Sequence, residues 1–402
     1  MKRKAACLLL ILTMTLLLTG CWNRTELNEL AIAVGMGIDK LGDQFQVSVQ
    51  VVDPGQVSAK SGGGIGRAPT TLYTAKAETI FEAVRKMTKT SPRKIYFSHL
   101  RICVIGETMA TDGMAKALDF MSRDHHFRTD FYLVLSKDAS AEDVLKILTP
   151  LDPIPANDLF SALEISEKSW SPSMTVTLDE LIAALTNQGI EPVLTGLQIV
   201  GNKEVGETKD NVEKIAPPAQ LEYSGMAVFK KDKLIGWLNE DESKGYNYIT
   251  GKVKSSVNFV ACPKGGKVII EIIRTQTTIK GAVNRGEPRI NIKMQVEANV
   301  GEVECTGLDL TKVSTIYDIE KRGEEKLEEI MRASVRKAQK SYKSDIFGFG
   351  EAIRRANPKA WNTLKNNWGR EYFADLPVNI KVNFKLRRLG TIGSSFLNDI
   401  KE

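Results

Sequence analysis

The sequence predicts a multi-domain α+β protein with mixed β-sheets packed against helices, and one long helix against an antiparallel sheet in the C-terminal half. Three observations lead to this prediction. Between residues 31 and 200, strand-like alternation and helical periodicity follow each other repeatedly. After residue 220 the pattern changes to long strands separated by short turns. From about residue 314 to 341, apolar residues recur at helical spacing over an unusually long segment.

Strands and helices are expected in close succession in the N-terminal part. Two strands cover 31–39 and 44–52, and Gly42-Asp43 supplies the turn between them. A loop rich in Gly and Ser covers 54–69. Because both tight turns and helices join the strands, we expect a mixed sheet. The elements predicted after the loop are strand 70–77, helix 78–90, strand 95–105, helix 108–121, strand 130–135, helices 141–148, 157–167 and 178–185, and strand 193–200.

Residues 201–220 are charged, contain Pro217-Pro218 and show almost no apolar periodicity, so they are interpreted as a linker or a long excursion. Beyond them, Lys231-Asp232 is flanked by apolar runs that are typical of a hairpin. The elements predicted here are strands 224–229 and 234–238, helix 242–249, strands 253–261, 268–278 and 290–300, the long helix 314–341, a helical stretch 350–367 and strand 378–388.

The long helix carries an apolar stripe on one side. Its N-terminal half is acidic and its C-terminal half is basic, which suits the helix dipole, and Glu328 and Arg332 form a favourable i,i+4 pair. The stripe is wider than a coiled-coil seam and Gly323 lies inside it, so packing against the three preceding strands is favoured over a coiled-coil partner. The stripe consists of Ile316, Ile319, Leu327, Ile330, Val335 and Ala338.

These elements divide the chain into a short leader and three folded regions. Residues 1–20 are a signal segment, 21–200 an N-terminal α+β domain, 201–220 a linker, 221–300 a middle β-rich domain and 301–402 a C-terminal α+β domain. The alternative is that 221–402 share one core, because the long strands and the long helix can pack together.

The N-terminal leader has the pattern of a lipoprotein signal. A basic start at Lys2, Arg3 and Lys4 leads into an apolar run over 8–18, and Leu18-Thr19-Gly20-Cys21 follows. We expect diacylglyceryl attachment to the Cys21 thiol and cleavage between Gly20 and Cys21. The alternatives are an ordinary signal peptide and a transmembrane anchor, but the apolar run has about half of the roughly 20 residues that a bilayer needs. Two acyl chains hold a protein stably on a membrane, whereas one holds it weakly.

Composition and cysteine use are those of a globular body without a disulfide scaffold. The chain has 402 residues and a net charge of +6, three of these charges lie in the signal segment, and such a balance does not favour nucleic-acid binding. Cys103, Cys262 and Cys305 are each interpreted as small buried hydrophobic residues. A Cys262–Cys305 disulfide is the alternative.

No pattern in the chain predicts catalysis, a cofactor or a metal. The histidines are His99, His125 and His126. On a strand or a helix the adjacent pair would point apart and could not share a metal, and a solvated turn between helix and strand is the favoured interpretation. The glycines of 62–66 lack the Lys-Ser/Thr ending of a phosphate-binding loop. The basic residues of 354–370 accompany Trp361 and Trp368, and packing over a core is favoured there over contact with anionic lipids.

Several motifs, taken together and in order, resemble those of the Ger(x)C family of spore germination lipoproteins, the C subunits of nutrient germinant receptors. The sequence has Asn23 where the family often has Asp. The motifs are Cys21-Trp22-Asn23-Arg24-Thr25-Glu26-Leu27, Ala31-Ile32-Ala33-Val34-Gly35-Met36-Gly37-Ile38-Asp39, Tyr96-Phe97-Ser98-His99-Leu100, Arg123-Asp124, Ile147-Leu148-Thr149-Pro150, Gly225-Met226-Ala227-Val228-Phe229, Leu234-Ile235-Gly236-Trp237-Leu238 and Asp345-Ile346-Phe347-Gly348-Phe349-Gly350.

The resemblance implies a lipid-anchored, non-catalytic receptor subunit on the outer face of the spore inner membrane. It implies a polytopic A subunit and a transporter-like B subunit as partners, with nutrient recognition associated mainly with these membrane subunits. The runner-up is a solute-binding lipoprotein that delivers a small nutrient to a transporter, which predicts a deep cleft with convergent polar groups. A lipid-anchored envelope hydrolase would need a catalytic constellation that the sequence does not display.

Overall fold

The computed structural model describes residues 4–6, 26–53, 68–262, 265–305 and 307–388, and these residues form an α+β fold built around two mixed sheets. This confirms the predicted fold class. In the described chain the first sheet has nine strands, in the order β3-β2-β1-β5-β6-β7-β8-β9, and β4 pairs with β1. The strands are β1 (Leu30–Leu41), β2 (Gln44–Val52), β3 (Thr70–Ala77), β4 (Lys94–Tyr96), β5 (Ile102–Ile105), β6 (Tyr132–Ser136), β7 (Val193–Gly201), β8 (Ala219–Lys230) and β9 (Lys233–Leu238).

The centre of this sheet is parallel and its two sides are antiparallel. Strand β1 pairs in parallel with β4 and β5, and β5, β6 and β7 continue in parallel. Strands β2 and β3 on one side, and β8 and β9 on the other, pair as antiparallel hairpins or meanders. The single strand predicted over 95–105 is two strands, because residues 97–101 leave β1 after β4 and return to it as β5.

Helices cover both faces of the first sheet. On one face, Leu145, Leu159 and Leu163 pack against Ile102 and Val134 in a separate apolar cluster. The other face belongs to a larger cluster that also contains the core of the second sheet. The helices of this half are α1 (Ile80–Lys86), α2 (Glu107–Asp112), α3 (Ala115–Arg123), α4 (Ala141–Lys146), α5 (Pro155–Ser169), α6 (Leu178–Thr186), α7 (Lys203–Gly206) and α8 (Asp210–Glu213).

Residues 201–220 connect two paired strands of the same sheet. They contain α7 and α8, and the buried Asn211 side chain donates to the Leu148 and Ala219 carbonyl oxygens at 2.8 and 3.1 Å. The segment is therefore a folded excursion between β7 and β8, which pair directly on either side of it. The division of the chain into domains stays a prediction.

The second sheet has the order β10-β11-β12-β13. Strands β10, β11 and β12 are antiparallel as predicted, whereas β13 joins β12 in parallel, because the helices between them return the chain to the same end of the sheet. The elements of this half are α9 (Glu240–Thr250), β10 (Ser256–Ala261), β11 (Lys267–Asn284), β12 (Glu287–Val303), α10 (Val313–Arg336), α11 (Phe349–Ala356), α12 (Pro358–Leu364) and β13 (Val378–Arg388).

The long helix α10 packs on this sheet, as predicted, and a π-helical turn over Lys337–Tyr342 continues it. Gly323 lets the helix approach the sheet, since a Cβ there would lie 3.2 Å from the Phe384 ring. Gly245 of α9 allows α9 to pack closely against α10, because a Cβ at position 245 would lie 2.6 Å from the Ile330 carbonyl oxygen. The predicted helix 350–367 divides into α11 and α12 at Asn357, whose side chain accepts from the Ala360 amide at 3.0 Å.

Glutamates on one side of α10 accept hydrogen bonds from the backbone amides at the unpaired edge of β13. Carboxylates spaced four residues apart accept hydrogen bonds from the strand's outward amides, and an arginine continues the series with a carbonyl oxygen. We call these contacts the carboxylate ladder. They are Glu320 with the Leu386 amide at 3.0 Å, Glu324 with the Phe384 amide at 3.2 Å, Glu328 with the Val382 amide at 3.3 Å, and Arg332 with the Ile380 carbonyl at 3.3 Å.

The structure corrects the prediction for two of the three cysteines. Cys262 and Cys305 form a disulfide with a Cα–Cα distance of 6.0 Å. Pairing of Ala261 with Lys267, and of Val268 with Val303, brings the two cysteines to neighbouring strand ends. Cys103 is a buried thiol as predicted, and burial raises its pKa to about 12.

The carboxylate ladder makes a prediction that separates two adjacent glutamates. Glu324→Ala leaves the Phe384 amide without its acceptor, so that amide should exchange its hydrogen about tenfold faster, as expected for a net loss of about 1–2 kcal/mol. Glu325→Ala is the matched control because Glu325 is exposed on the same helix. Native-state hydrogen exchange measures both variants, and equal exchange at Phe384 would contradict the ladder.

Candidate functional site

The two residues predicted as the site of processing and lipid attachment, Gly20 and Cys21, lie outside the described residues. The structure instead shows where the chain that follows them enters the fold. Residues Leu27–Glu29 form a short helical turn, β1 begins at Leu30, and Leu30 pairs with Lys94. The candidate site is therefore built around the start of β1.

Three loops meet at this point because of the parallel centre of the sheet. The N-terminal ends of neighbouring parallel strands lie at the same edge. Residues 89–93 precede β4, 97–101 precede β5 and 124–131 precede β6. We call the surface formed by these loops and by Lys94 the N-terminal edge.

The N-terminal edge is held together by contacts between its loops. The rings of Phe97 and Phe127 stack with centroids 4.4 Å apart, and the Ser98 hydroxyl donates to the His126 carbonyl oxygen at 3.0 Å. The Lys94 ammonium lies 3.2 Å from Nε2 of His126. These contacts join the loops before β5 and β6 to strand β4.

The edge carries an excess of positive charge. Residues 89–101 contain Lys89, Arg93, Lys94 and Arg101 and no Asp or Glu, and all four basic side chains are exposed. The loop before β6 carries one basic and two acidic residues: Arg128 lies 3.6 Å from Asp130, and Asp124 adds one further negative charge. The four basic residues outweigh this negative charge, so the edge as a whole is positive.

His125 and His126 lie on a turn between α3 and β6, as predicted, but their rings do not diverge as they would on a strand or a helix. They lie on an irregular turn, where adjacent side chains can share a side, and their ring centroids are 4.0 Å apart. Among the described residues, Asp124, His125 and His126 form a group whose possible ligand atoms lie within 4.8 Å of one another. His125 is exposed and His126 is half-buried.

Both ring nitrogens of His126 in this group already take part in hydrogen bonds. A lysine ammonium can only donate, so Nε2 of His126 accepts from Lys94 and Nδ1 donates to Asp124 at 2.7 Å. Burial would raise the pKa of Asp124, but the hydrogen bonds from His126 outweigh it and lower that pKa. Because both ring nitrogens of His126 are engaged, a metal would have to displace either Asp124 or Lys94.

A second site candidate is a cleft between the two halves of the chain, with a volume of about 660 Å³. Residues after α6, the β8–β9 turn and the segment after α12 line it. Lys230, Lys231, Lys365 and Arg370 supply its positive charges. Two of its carboxylates already accept backbone hydrogen bonds: Glu191 from the Lys231 amide at 2.6 Å and Asp232 from the Ala115 amide at 3.2 Å.

Asp345 lies at the bottom of this cleft, and its side chain is buried. Its carboxylate accepts from the Phe347, Phe349 and Gly350 amides at 3.2, 3.1 and 2.7 Å, and from Nε1 of Trp368 at 2.7 Å. Burial raises the pKa of Asp345 to about 6, against the lowering effect of these bonds. Asp345 begins one of the motifs that carry the family resemblance. An aspartate followed by glycines is typical of a turn, and this pattern is the sequence signal for a side chain that accepts hydrogen bonds from nearby backbone amides.

The same turn joins the C-terminal half to the first sheet. The Asp345 carbonyl accepts from the Glu191 amide at 2.8 Å, the Ser344 hydroxyl donates to the Phe229 carbonyl at 2.8 Å, and the Tyr342 hydroxyl donates to the Trp237 carbonyl at 2.7 Å. Residues from three resemblance motifs therefore meet here.

Asp39, at the end of another motif, also has a structural role. Its carboxylate accepts from the Ala141 and Glu142 amides at 2.8 and 3.1 Å and so caps the N-terminus of α4. Burial raises the pKa of Asp39 in spite of these two bonds. The tryptophans of 354–370, Trp361 and Trp368, are buried, as expected for packing over a core.

Comparison with known proteins gives matches along almost the whole chain. Residues 23–199 match the family model "Spore germination protein N-terminal domain", and residues 224–390 match "Spore germination B3/ GerAC like, C-terminal". Spore germination protein KC of Bacillus subtilis is 31% identical over 100% of both chains, and spore germination protein B3 of the same organism is 26% identical over 94% of this chain and 96% of its own. A crystal structure of the GerBC protein covers 88% of this chain and 96% of its own, with a TM-score of 0.54 at 20% identity, which shows the same fold.

The buried Asp345 predicts a specific pH dependence of stability. Its folded-state pKa of about 6 lies above the ordinary value of 3.8, so its contribution to the free energy of unfolding is fully present below about pH 4 and is lost as the pH rises through 6. The loss amounts to about 3 kcal/mol. Asp345→Asn cannot titrate, so the stability of the wild type relative to this variant should fall between pH 4 and pH 7.

Chemical denaturation at several pH values, followed by tryptophan fluorescence, measures this difference. The variant loses hydrogen bonds at every pH and is therefore less stable throughout. The prediction concerns only how the difference in free energy of unfolding between wild type and variant changes with pH. A difference that does not change between pH 4 and pH 7 would contradict it.

Proposed function

The chain belongs to the family of GerAC-like spore germination proteins, and from this we propose that it is a lipid-anchored, non-catalytic subunit of a spore nutrient germinant receptor, required for receptor assembly or signalling. Spore germination proteins KC and B3 are similar to it over 100% and 94% of its length. The observation that carries the proposal is this full-length match together with the lipoprotein signal at 18–21.

Attachment through Cys21 is supported by the pattern before it and by the fold after it. The thiol follows a small residue at the end of an apolar run, as diacylglyceryl transfer requires. Four residues separate Cys21 from Glu26, where the described chain resumes, and the five Cα–Cα steps of this connection span at most about 18 Å when fully extended. The body would therefore lie close to the outer face of the membrane. Among the described residues no helix combines the length and apolarity needed to cross a bilayer.

A structural rather than catalytic role is supported by the contacts of the buried acids. Asp39 caps a helix and Asp345 closes a turn, each through backbone amides. A carboxylate used in this way stabilises the fold and offers no free base to a substrate. In the proposed receptor the partners are the polytopic A subunit and the transporter-like B subunit, and the location in spores is the outer face of the inner membrane.

The cleft beside Asp345 is the specific observation that favours the second candidate, a solute-binding lipoprotein. Its four basic side chains would suit a small anionic nutrient. Its position between the two halves of the chain is where a binding protein of two lobes would hold its ligand.

The lipid anchor predicts the behaviour of two cysteine variants. Cys21→Ala should accumulate as an unprocessed precursor without lipid label, because no thiol remains to accept diacylglycerol. Cys7→Ala is the matched control, since Cys7 lies inside the signal segment and should not affect processing. Metabolic labelling with a radioactive fatty acid and the mobility of the chain on a gel provide the measurement.

Normal labelling of the Cys21→Ala chain would contradict the anchor. The receptor assignment is tested separately with spores that lack the chain. Assembly of the A and B subunits and germination at the normal rate in such spores would contradict it.

The two candidate functions make opposite predictions for ligand binding. A receptor subunit that assembles its partners should give no saturable heat when the mature chain is titrated with amino acids and sugars in a calorimeter. Saturable binding at about micromolar concentration, abolished by Lys365→Ala with Arg370→Ala, would favour the solute-binding function. The same pair of substitutions should leave the thermal unfolding midpoint nearly unchanged, because Arg370 is exposed and Lys365 is only half-buried.

A further inference from the structure

We propose that the N-terminal edge is a docking surface for anionic phospholipid headgroups, in the same membrane that holds the lipidated Cys21. This inference rests on the proposed function, because it takes the lipid at Cys21 as its starting point. It adds that the body touches the membrane with a defined surface and therefore has a defined orientation.

The first argument is position. After the leader the described chain resumes at Glu26, the short turn Leu27–Glu29 follows, and Leu30 pairs with Lys94 at the edge itself. Since the connection from Cys21 to Glu26 spans at most about 18 Å, the edge is the part of the first sheet nearest the anchor. The opposite end of β1, at Leu41, lies eleven residues further along the strand, about 36 Å away.

The second argument is charge. Over 89–101 the chain presents Lys89, Arg93, Lys94 and Arg101 without any acidic residue. Lys89 and Arg93 form no ion pair with any other residue that the structure describes, and both side chains are exposed. Lysine and arginine beside a membrane attract anionic headgroups, and the attraction is confined to about a Debye length.

The third argument is that contacts between the loops hold the N-terminal edge in a defined conformation. The stacked rings of Phe97 and Phe127 and the bond from Ser98 to His126 fix the loops before β5 and β6 to each other. The His126 ring accepts from Lys94 and donates to Asp124, which fixes the position of the lysine ammonium. A surface whose charged groups are already positioned loses little conformational freedom on docking.

The test compares lysines at the two ends of the first sheet. The mature, lipidated chain is bound to vesicles of phosphatidylcholine, with or without about one third phosphatidylglycerol, and treated with an amine-acetylating reagent. Mass spectrometry gives the rate at each lysine. Lys89 and Lys94 report on the edge. Lys40 and Lys76 report on the opposite end, because both lie next to the ends of their strands, β1 and β3.

The expected result is that Lys89 and Lys94 react at least about threefold more slowly with phosphatidylglycerol present, whereas Lys40 and Lys76 do not change. About 0.5 M NaCl should remove the difference, because it shortens the Debye length to about 4 Å. Equal rates at Lys89 and Lys94 in both kinds of vesicle would overturn the proposal, and so would equal slowing at all four lysines. Protection in pure phosphatidylcholine would also overturn it, because the recognition would then not depend on charge.

Charge-reversal variants provide the matched control. Lys89→Glu with Arg93→Glu should abolish the slowing at Lys94, and Lys40→Glu with Lys76→Glu should leave it intact. Both pairs change the net charge equally, so a general effect of charge would appear in both and would contradict a specific edge.

Flotation of the vesicles separates this proposal from the anchor. A chain that floats with both lipid compositions but shows no protection at the edge keeps its anchor and contradicts docking alone. A chain that floats with neither contradicts both. If the edge instead bound a partner protein, the lysines would stay reactive on vesicles that contain only lipid, which again overturns the proposal.

Discussion

The C-terminal half depends on one constraint: the outward amides of β13 lie at the edge of a sheet and need acceptors. The carboxylate ladder of α10 supplies them. Four residues of an α-helix rise about 6.0 Å and two residues of a strand about 6.6 Å, so a glutamate at every fourth position stays opposite every second amide. This match fixes the direction and register of α10 on the sheet, and Gly323 over Phe384 gives the close approach that the ladder requires.

The position of α10 in turn determines how the two halves meet. The helix continues through the π-helical turn Lys337–Tyr342 into the turn at Asp345. There the Tyr342 and Ser344 hydroxyls reach carbonyl oxygens of β9 and β8 in the first sheet. Since α9 also packs against α10 through Gly245, the larger apolar cluster is continuous between the sheets. The second sheet is thereby held in place relative to the N-terminal edge.

Sequence patterns predicted what depends on neighbouring residues, and missed what depends on tertiary register. Apolar alternation is sufficient to predict β12 as a strand, and helical periodicity is sufficient to predict α10 as a helix, each with approximate bounds. The helix dipole accounts for the glutamates of α10 at the level of the sequence, yet in the fold they accept hydrogen bonds from a strand that lies more than fifty residues further along the chain. The Cys262–Cys305 bond and the adjacent rings of His125 and His126 also follow from spatial pairing that spacing does not encode. Gly20 and Cys21 show the converse, because their prediction comes entirely from a local pattern.

An acyl anchor by itself fixes the distance of a protein from a membrane and leaves its orientation free. In the proposed arrangement the anchor keeps Glu26, where the chain enters the N-terminal edge, within about 18 Å of the lipidated Cys21, so the basic side chains of the edge meet headgroups at high effective concentration. Individually weak charge contacts then suffice to orient the body, since the anchor already accounts for the loss of translational freedom. Because the Asp345 turn joins the second sheet to the first, orienting one edge of the first sheet orients the C-terminal half as well. A receptor subunit built in this way would present a fixed surface to its membrane-embedded partners without spanning the bilayer itself.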